Sequence, residues 1–226
     1  MIRKLLEFWS QENSLTALLV VLIVDIFVLV PITGGGMVIG LIADIIFLLI
    51  LLAGFTSMAR RKSVRTFFLV FVALAAITHS AWVLFSLKFL AGWNFLFSTI
   101  AVMSMLVVTL RMVYQDGPVT AHRIRGAIAA YLLISMVFAK IYALIHHFLP
   151  ASFNMPQMLA EFVAKGEESF YYFSIVTLTT VGFGDITAVA PIARSFVMTE
   201  ALIGQLYPAI LLARLVSLSV SAKTKE

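Results

Sequence analysis

The chain has 226 residues, of which 62% are hydrophobic and only 12% charged, with a formal net charge of +5 and a mean hydropathy of +1.06. Soluble domains carry about a quarter charged residues, so this composition cannot cover a water-facing surface and implies a membrane protein. The absence of cysteine excludes a disulfide framework, a thiolate metal site and a cysteine nucleophile, and with no basic soluble domain the positive charge points to basic loops on one membrane face rather than to nucleic acid.

Residues 1–14, "MIRKLLEFWSQENS", are followed by an apolar run too long for a signal peptide and by no small-residue cleavage site. They read as an amphipathic lead-in at the cytoplasmic surface, or as a frayed tail. A spanning helix needs ~20 mostly apolar residues, and six segments qualify. The first covers about 15–30 and stops at Pro31; the second follows "GGG" and covers about 37–58. "RRKSVR" separates it from a third at about 66–87, and a fourth covers about 94–114. After the polar linker "QDGPVTAHRIR" a fifth covers about 124–148 and stops before Pro150; the sixth covers about 191–218.

Six spans place eleven of the sixteen basic residues on one side: Arg3, Lys4, Arg60, Arg61, Lys62, Arg65, Arg111, Arg123, Arg125, Lys223 and Lys225. An odd number of spans would scatter them. Basic residues concentrate on the cytoplasmic side, so both termini are expected there. The expected organisation is a lead-in at 1–14, a four-helix membrane domain at 15–121 and a further domain at 122–226. The tail after the sixth segment leaves about eight residues, too few for a soluble ligand-binding domain.

The connection between Pro150 and Pro191 is anomalous. It contains "SFYYFSIVTLTT", apolar and aromatic but too short to span, which reads as re-entrant. Non-helical backbone at membrane depth survives only where it lines a watery cavity or is buried in protein. The stretch "TLTTVGFGD" at 177–185 follows directly. Gly182 and Gly184 tolerate positive φ. Alternated with Val181 and Phe183, they let successive carbonyls turn to one side, and several chains around an axis would stack these into rings of oxygens. The short preceding helix would aim its partly negative C-terminal end at that axis, with Glu167 and Glu168 at its N-terminal end.

"TTVGFGD" resembles the selectivity-filter signature of potassium channels, and the flanks agree over about residues 123–218: an apolar helix, a short aromatic helix, the loop, and another apolar helix. The resemblance implies an all-α membrane fold with six transmembrane helices and a re-entrant pore helix and filter loop between the fifth and sixth. It implies that Thr180, Val181, Gly182, Phe183 and Gly184 form the ion site, with backbone carbonyls facing K+ and the Thr180 hydroxyl innermost. K+ is then the permeant ion, with no other cofactor or metal. One chain supplies one strand of the filter, so the expected assembly is a homotetramer in membrane lipid. Tyr172 and Phe173 stand where many members have a tryptophan pair, Val176 where some have glutamate, and Phe183 where tyrosine is usual. Support is therefore expected from packing and a Tyr172–Asp185 hydrogen bond. Gly204 stands where simple members have a hinge glycine, and Arg194 where a basic residue is common. A phosphate loop would need a lysine that is missing here.

The fourth segment, "NFLFSTIAVMSMLVVTL", carries no charge before Arg111. Gating charge requires positive residues inside the field, so steep voltage dependence is not expected. Asp25 and Asp44 lie inside the first two segments, either as a hydrogen-bonded structural pair or as an ion, proton or lipid site. His79 is a packed histidine or a pH sensor; His146 and His147 are interfacial or bind protons or zinc. Lys140 and Glu200 fall at similar depth and are expected to pair, or to find separate polar partners. In "GQLYP", Gly204 and Pro208 mark either a gating hinge or a static kink that shapes the cavity. Glu161, Glu167, Glu168 and Asp185 would give the outer mouth a cation-attracting field. The competing readings are a weakly selective cation channel, a non-conducting subunit, and a membrane enzyme or transporter, for which no catalytic constellation or internal repeat is visible.

Overall fold

The computed structural model describes residues 14–29, 62–85, 88–115, 120–156 and 168–223. The second apolar segment with Asp44, the lead-in at 1–13, and Glu161 and Glu167 lie outside the described residues. The fold is almost wholly helical: α1 (Ser14–Val24) with a π-helical turn (Asp25–Leu29), α2 (Lys62–Phe85), α3 (Lys88–Val113), α4 (Ala121–Phe148), β1 (Phe153–Asn154), α5 (Glu168–Leu178), β2 (Thr187–Ala188) and α6 (Pro191–Lys223). Among the described residues four helices are long and apolar enough to cross a membrane: α2, α3, α4 and α6; α1 and α5 are shorter apolar helices.

Local chemistry sets the helix ends. Thr120 caps α4, its backbone extended (φ −111°, ψ 155°) and its side chain accepting from Arg123 N at 3.4 Å. Pro150 cannot continue the helix, and Ser152 Oγ donates back to the Leu149 carbonyl at 2.6 Å. Pro191 starts α6, where its missing N–H costs no helical bond. α3 begins six residues before its expected start, at Lys88, and α6 runs to Lys223 rather than stopping near 218. The reason is that Lys88 and the small polar residues after Leu218 end the apolar pattern without ending helix propensity.

α4 is the hub. It packs on α1, α3, α5 and α6, and Leu133, Met136, Ala139 and Tyr142 along it are fully buried. Hydroxyls on α2 and α3 bond within their own helices: Thr78 to Leu74 O (2.7 Å), Thr99 to Phe95 O (2.6 Å) and Thr109 to Met105 O (2.9 Å). Such back-bonding satisfies polar groups where no water is at hand. Asp25 is buried at the start of the π-helical turn. The β1–β2 pair, with Phe153 opposite Ala188 and Asn154 opposite Thr187, ties the connection after α4 to the approach to α6.

α1 reaches α4 closely at Gly126, where a Cβ would lie 2.6 Å from Leu15 Cδ1, and Arg125 donates to Thr16 Oγ1 at 3.1 Å. Gly126→Val should therefore destabilise the protein by about 1–3 kcal/mol through overpacking, lowering the melting temperature in detergent. Adding Leu15→Ala should recover much of that loss; a double variant no more stable than the single one would refute the contact.

Candidate functional site

The site is built where α4, α5 and α6 meet. α5 ends in a Schellman motif: Val181 N donates to Val176 O at 3.0 Å and Thr180 N to Thr177 O at 2.9 Å. That motif needs a residue in the left-handed region, and Thr180 occupies it with φ 59°. Glycine is the usual occupant, since a β-branched residue there is strained. Gly182 (φ 56°) and Gly184 (φ 81°) follow, so positive φ recurs at every second residue of the loop. A Cβ at either glycine would meet nothing within 4 Å in the single chain, so backbone conformation rather than space demands glycine. The whole run from Thr179 to Gly184 is exposed, Phe183 by 70%.

Behind the loop, Tyr172 OH donates to Asp185 Oδ2 at 2.6 Å, and Asp185 Oδ1 accepts from Ile186 N at 2.9 Å. The Asp185 hydrogen bond pushes the Tyr172 hydroxyl up to about 12, so it stays a donor throughout the physiological range. Phe173 is buried and packs edge-on to Phe153 at 5.7 Å and against Tyr142 at 5.2 Å. Arg194 Nε donates to the Ala188 carbonyl at 3.2 Å and so fastens the return strand to α6.

Glu200 is fully buried on α6. Its two oxygens accept from Tyr142 OH of α4, at 2.5 Å, and from Ser174 Oγ of α5. Ser174 Oγ also lies 2.7 Å from the Ser135 carbonyl and 3.1 Å from Ser135 Oγ. Lys140 Nζ lies 5.8 Å from the centroid of the Tyr171 ring. Two hydroxyls thus occupy the place expected of the ammonium. Sequence reasoning passed over Tyr142, Ser174 and Ser135, because single hydroxyls on apolar helices carry no pattern of their own.

The "GQLYP" stretch is clamped at successive points. A Cβ at Gly204 would overlap the carbonyl oxygen of Leu178, the last residue of α5. Gln205 Nε2 donates to Thr180 Oγ1 at 2.8 Å. Tyr207 stacks on Tyr131 at 5.8 Å and donates to the Ala127 carbonyl at 2.9 Å, while Tyr131 OH donates to the Leu178 carbonyl at 3.1 Å. Pro208 lies inside the continuous α6. The glycine therefore serves a close approach of helix to helix.

The other titratable candidates stand apart. His79 Nδ1 lies 3.4 Å from Asn94 Nδ2 and meets Trp82 edge-on. His146 packs against Phe153 and Phe170, and His147 against Phe95, Phe148 and Gly92. No group of His, Asp and Glu that could hold a metal occurs among the described residues. Arg111 lies in the last turn of α3.

Residues 128–220, from α4 to near the end of α6, match the family model described as ion channel. No curated protein and no solved structure matches the chain.

Two outcomes are expected. Gly204→Ala must force α6 off the end of α5, and the folded protein should be lost or its melting temperature should fall sharply. A variant as stable as the parent would refute the close approach. Tyr142→Phe, which leaves one oxygen of Glu200 without its donor, should cost about 1–3 kcal/mol in chemical denaturation; a change under about 0.5 kcal/mol would count against the network.

Proposed function

We propose, on the premise that residues 128–220 belong to the ion-channel family and the chain is a channel and not an enzyme, that it conducts K+ selectively across the cell membrane as a homotetramer. The observation that carries this reading is the loop backbone: positive φ at Thr180, Gly182 and Gly184, alternating with Val181 and Phe183, on an exposed strand after a short apolar helix. Four copies around an axis would stack the carbonyls of Thr180, Val181, Gly182 and Phe183 into rings that replace the hydration shell of the ion. The Thr180 hydroxyl would form the innermost ring, and the C-terminal end of α5 would add its partial negative charge.

The single chain leaves apolar surface exposed beside the loop. Met198, Leu202, Leu206 and Ile210 recur every fourth residue on α6 and all are exposed, so they form one stripe along the helix. An open groove beside the loop is lined by Phe173, Thr177, Ile186, Val197 and Met198. Exposed apolar surface of this kind, next to an incomplete ring of oxygens, supports closure by copies of the same chain. Six spans with both termini in the cytoplasm accord with the distribution of arginine and lysine. The absence of arginine from α3 before Arg111 argues against steep voltage gating.

A weakly selective cation channel is the second reading. Phe183 favours it, because its ring offers no hydroxyl to brace the filter from behind, and the Tyr172–Asp185 bond holds the chain only beyond Gly184.

Flux into liposomes holding the purified protein tests the first reading. K+ uptake should exceed Na+ uptake by at least about tenfold, the equivalent of about 1.4 kcal/mol, and Gly182→Asp should abolish it. Equal uptake of both ions would establish the second reading. Uptake unaffected by Gly182→Asp would remove the loop from the pathway.

A further inference from the structure

Gln205 lies on α6, outside the loop, yet its side chain touches the loop. Nε2 donates to Thr180 Oγ1 at 2.8 Å. The contact exists because Gly204, one residue earlier, lets α6 lie directly on the end of α5. Thr180 is also the one non-glycine residue with positive φ among the described residues. A β-branched residue is held in that region by its surroundings and not by its own preference. Here one restraint is the Schellman bond from Thr180 N to Thr177 O, and the other is the amide on the hydroxyl.

The chemistry of the contact is specific. A hydroxyl oxygen has two acceptor lone pairs and one proton. The amide occupies one lone pair, so one remains, and the side-chain rotamer is fixed. Both residues are exposed in the single chain, on the side where copies of the loop would converge. An uncharged donor can sit there without adding repulsion or a trap for a passing cation.

We infer that Gln205 is a positioning residue that sets the orientation and acceptor strength of the innermost oxygen ring, and so adjusts which monovalent cations pass the inner end of the loop. This rests on the filter reading given above. Asparagine would be a methylene too short to make the bond. Glutamate matches glutamine in size but only accepts when ionised, so the Thr180 proton would have to turn toward it and the bond would reverse.

The test is flux of K+, Rb+ and Na+ into liposomes holding the full chain. Wild type is compared with Gln205→Met, Gln205→Glu, Thr180→Ala and the double variant Thr180→Ala/Gln205→Met, after each oligomer is checked by native gel. Gln205→Met should change the Rb+:K+ flux ratio by about threefold or more, as expected for loss of one net hydrogen bond. In the Thr180→Ala background the same substitution should change the ratio no further, because the partner is already gone. An unchanged ratio in Gln205→Met, or an equal change in both backgrounds, overturns the inference. If Gln205→Met does not assemble, Gln205→Glu and the double variant Thr180→Ala/Gln205→Glu carry the comparison: a ratio shifted by Gln205→Glu only when Thr180 is present supports the inference, and an unshifted ratio or an equal shift in both backgrounds overturns it. Wild type that passes K+ and Na+ equally overturns the filter reading instead, and does so before any variant is compared.

Discussion

The fully buried Glu200 carboxyl group holds the candidate site together. A polar group of that size in an apolar helix bundle is costly unless both oxygens are bonded. Tyr142 of α4 and Ser174 of α5 supply those bonds, so two helices are fixed to one buried side chain on α6. Fixing α5 fixes its C-terminal end, and that end launches the glycine loop. The aromatic cluster of Tyr142, Phe153, Phe170 and Phe173 fills the space around the network, so loosening one bond would also disturb ring packing.

The same logic of close packing runs down α6. Gly204 lets the helix touch the Leu178 carbonyl, Tyr131 satisfies that carbonyl from the other side, and Tyr207 anchors the next turn to α4. On the cytoplasmic side predicted by the basic residues, Arg214 donates to the Tyr114 carbonyl at 2.6 Å and lies 4.7 Å from the ring centroid. α6 is thus held along one face, while its opposite face, with Met198, Leu202, Leu206 and Ile210, is bare in the single chain.

Much of this was legible from residue patterns. The apolar runs ending at Pro150 and starting at Pro191 mark α4 and α6 because proline blocks helix continuation in one place and favours initiation in the other. The alternating glycines of 182 and 184 announce the loop, and the Tyr172–Asp185 bond is legible only through the resemblance of the loop to a selectivity filter. Depth along the chain suggested Lys140 for Glu200, because charges stand out in an apolar helix and hydroxyls do not. Depth says nothing about which face of α4 each residue takes, and Tyr142, two positions on, holds the bond instead. The glycine at 204 reads in sequence as a hinge or a static kink, and its close approach to the Leu178 carbonyl is not legible there, since sequence cannot distinguish a flexible backbone from one that needs room for a neighbour. Thr180 carried no warning of its left-handed backbone, because that conformation is imposed by the way α5 ends.

The backbone of Thr180 has an implication for protein engineering. Glycine at this position would relieve strain on the order of 1–3 kcal/mol and would close the Schellman motif more comfortably. It would also delete the hydroxyl that Gln205 grips. Directed evolution for thermal tolerance would accordingly enrich replacements at this residue while dismantling the contact beside it. A library ranked by melting temperature alone would therefore select against that contact, so a screen on this scaffold has to follow a second property in the same round.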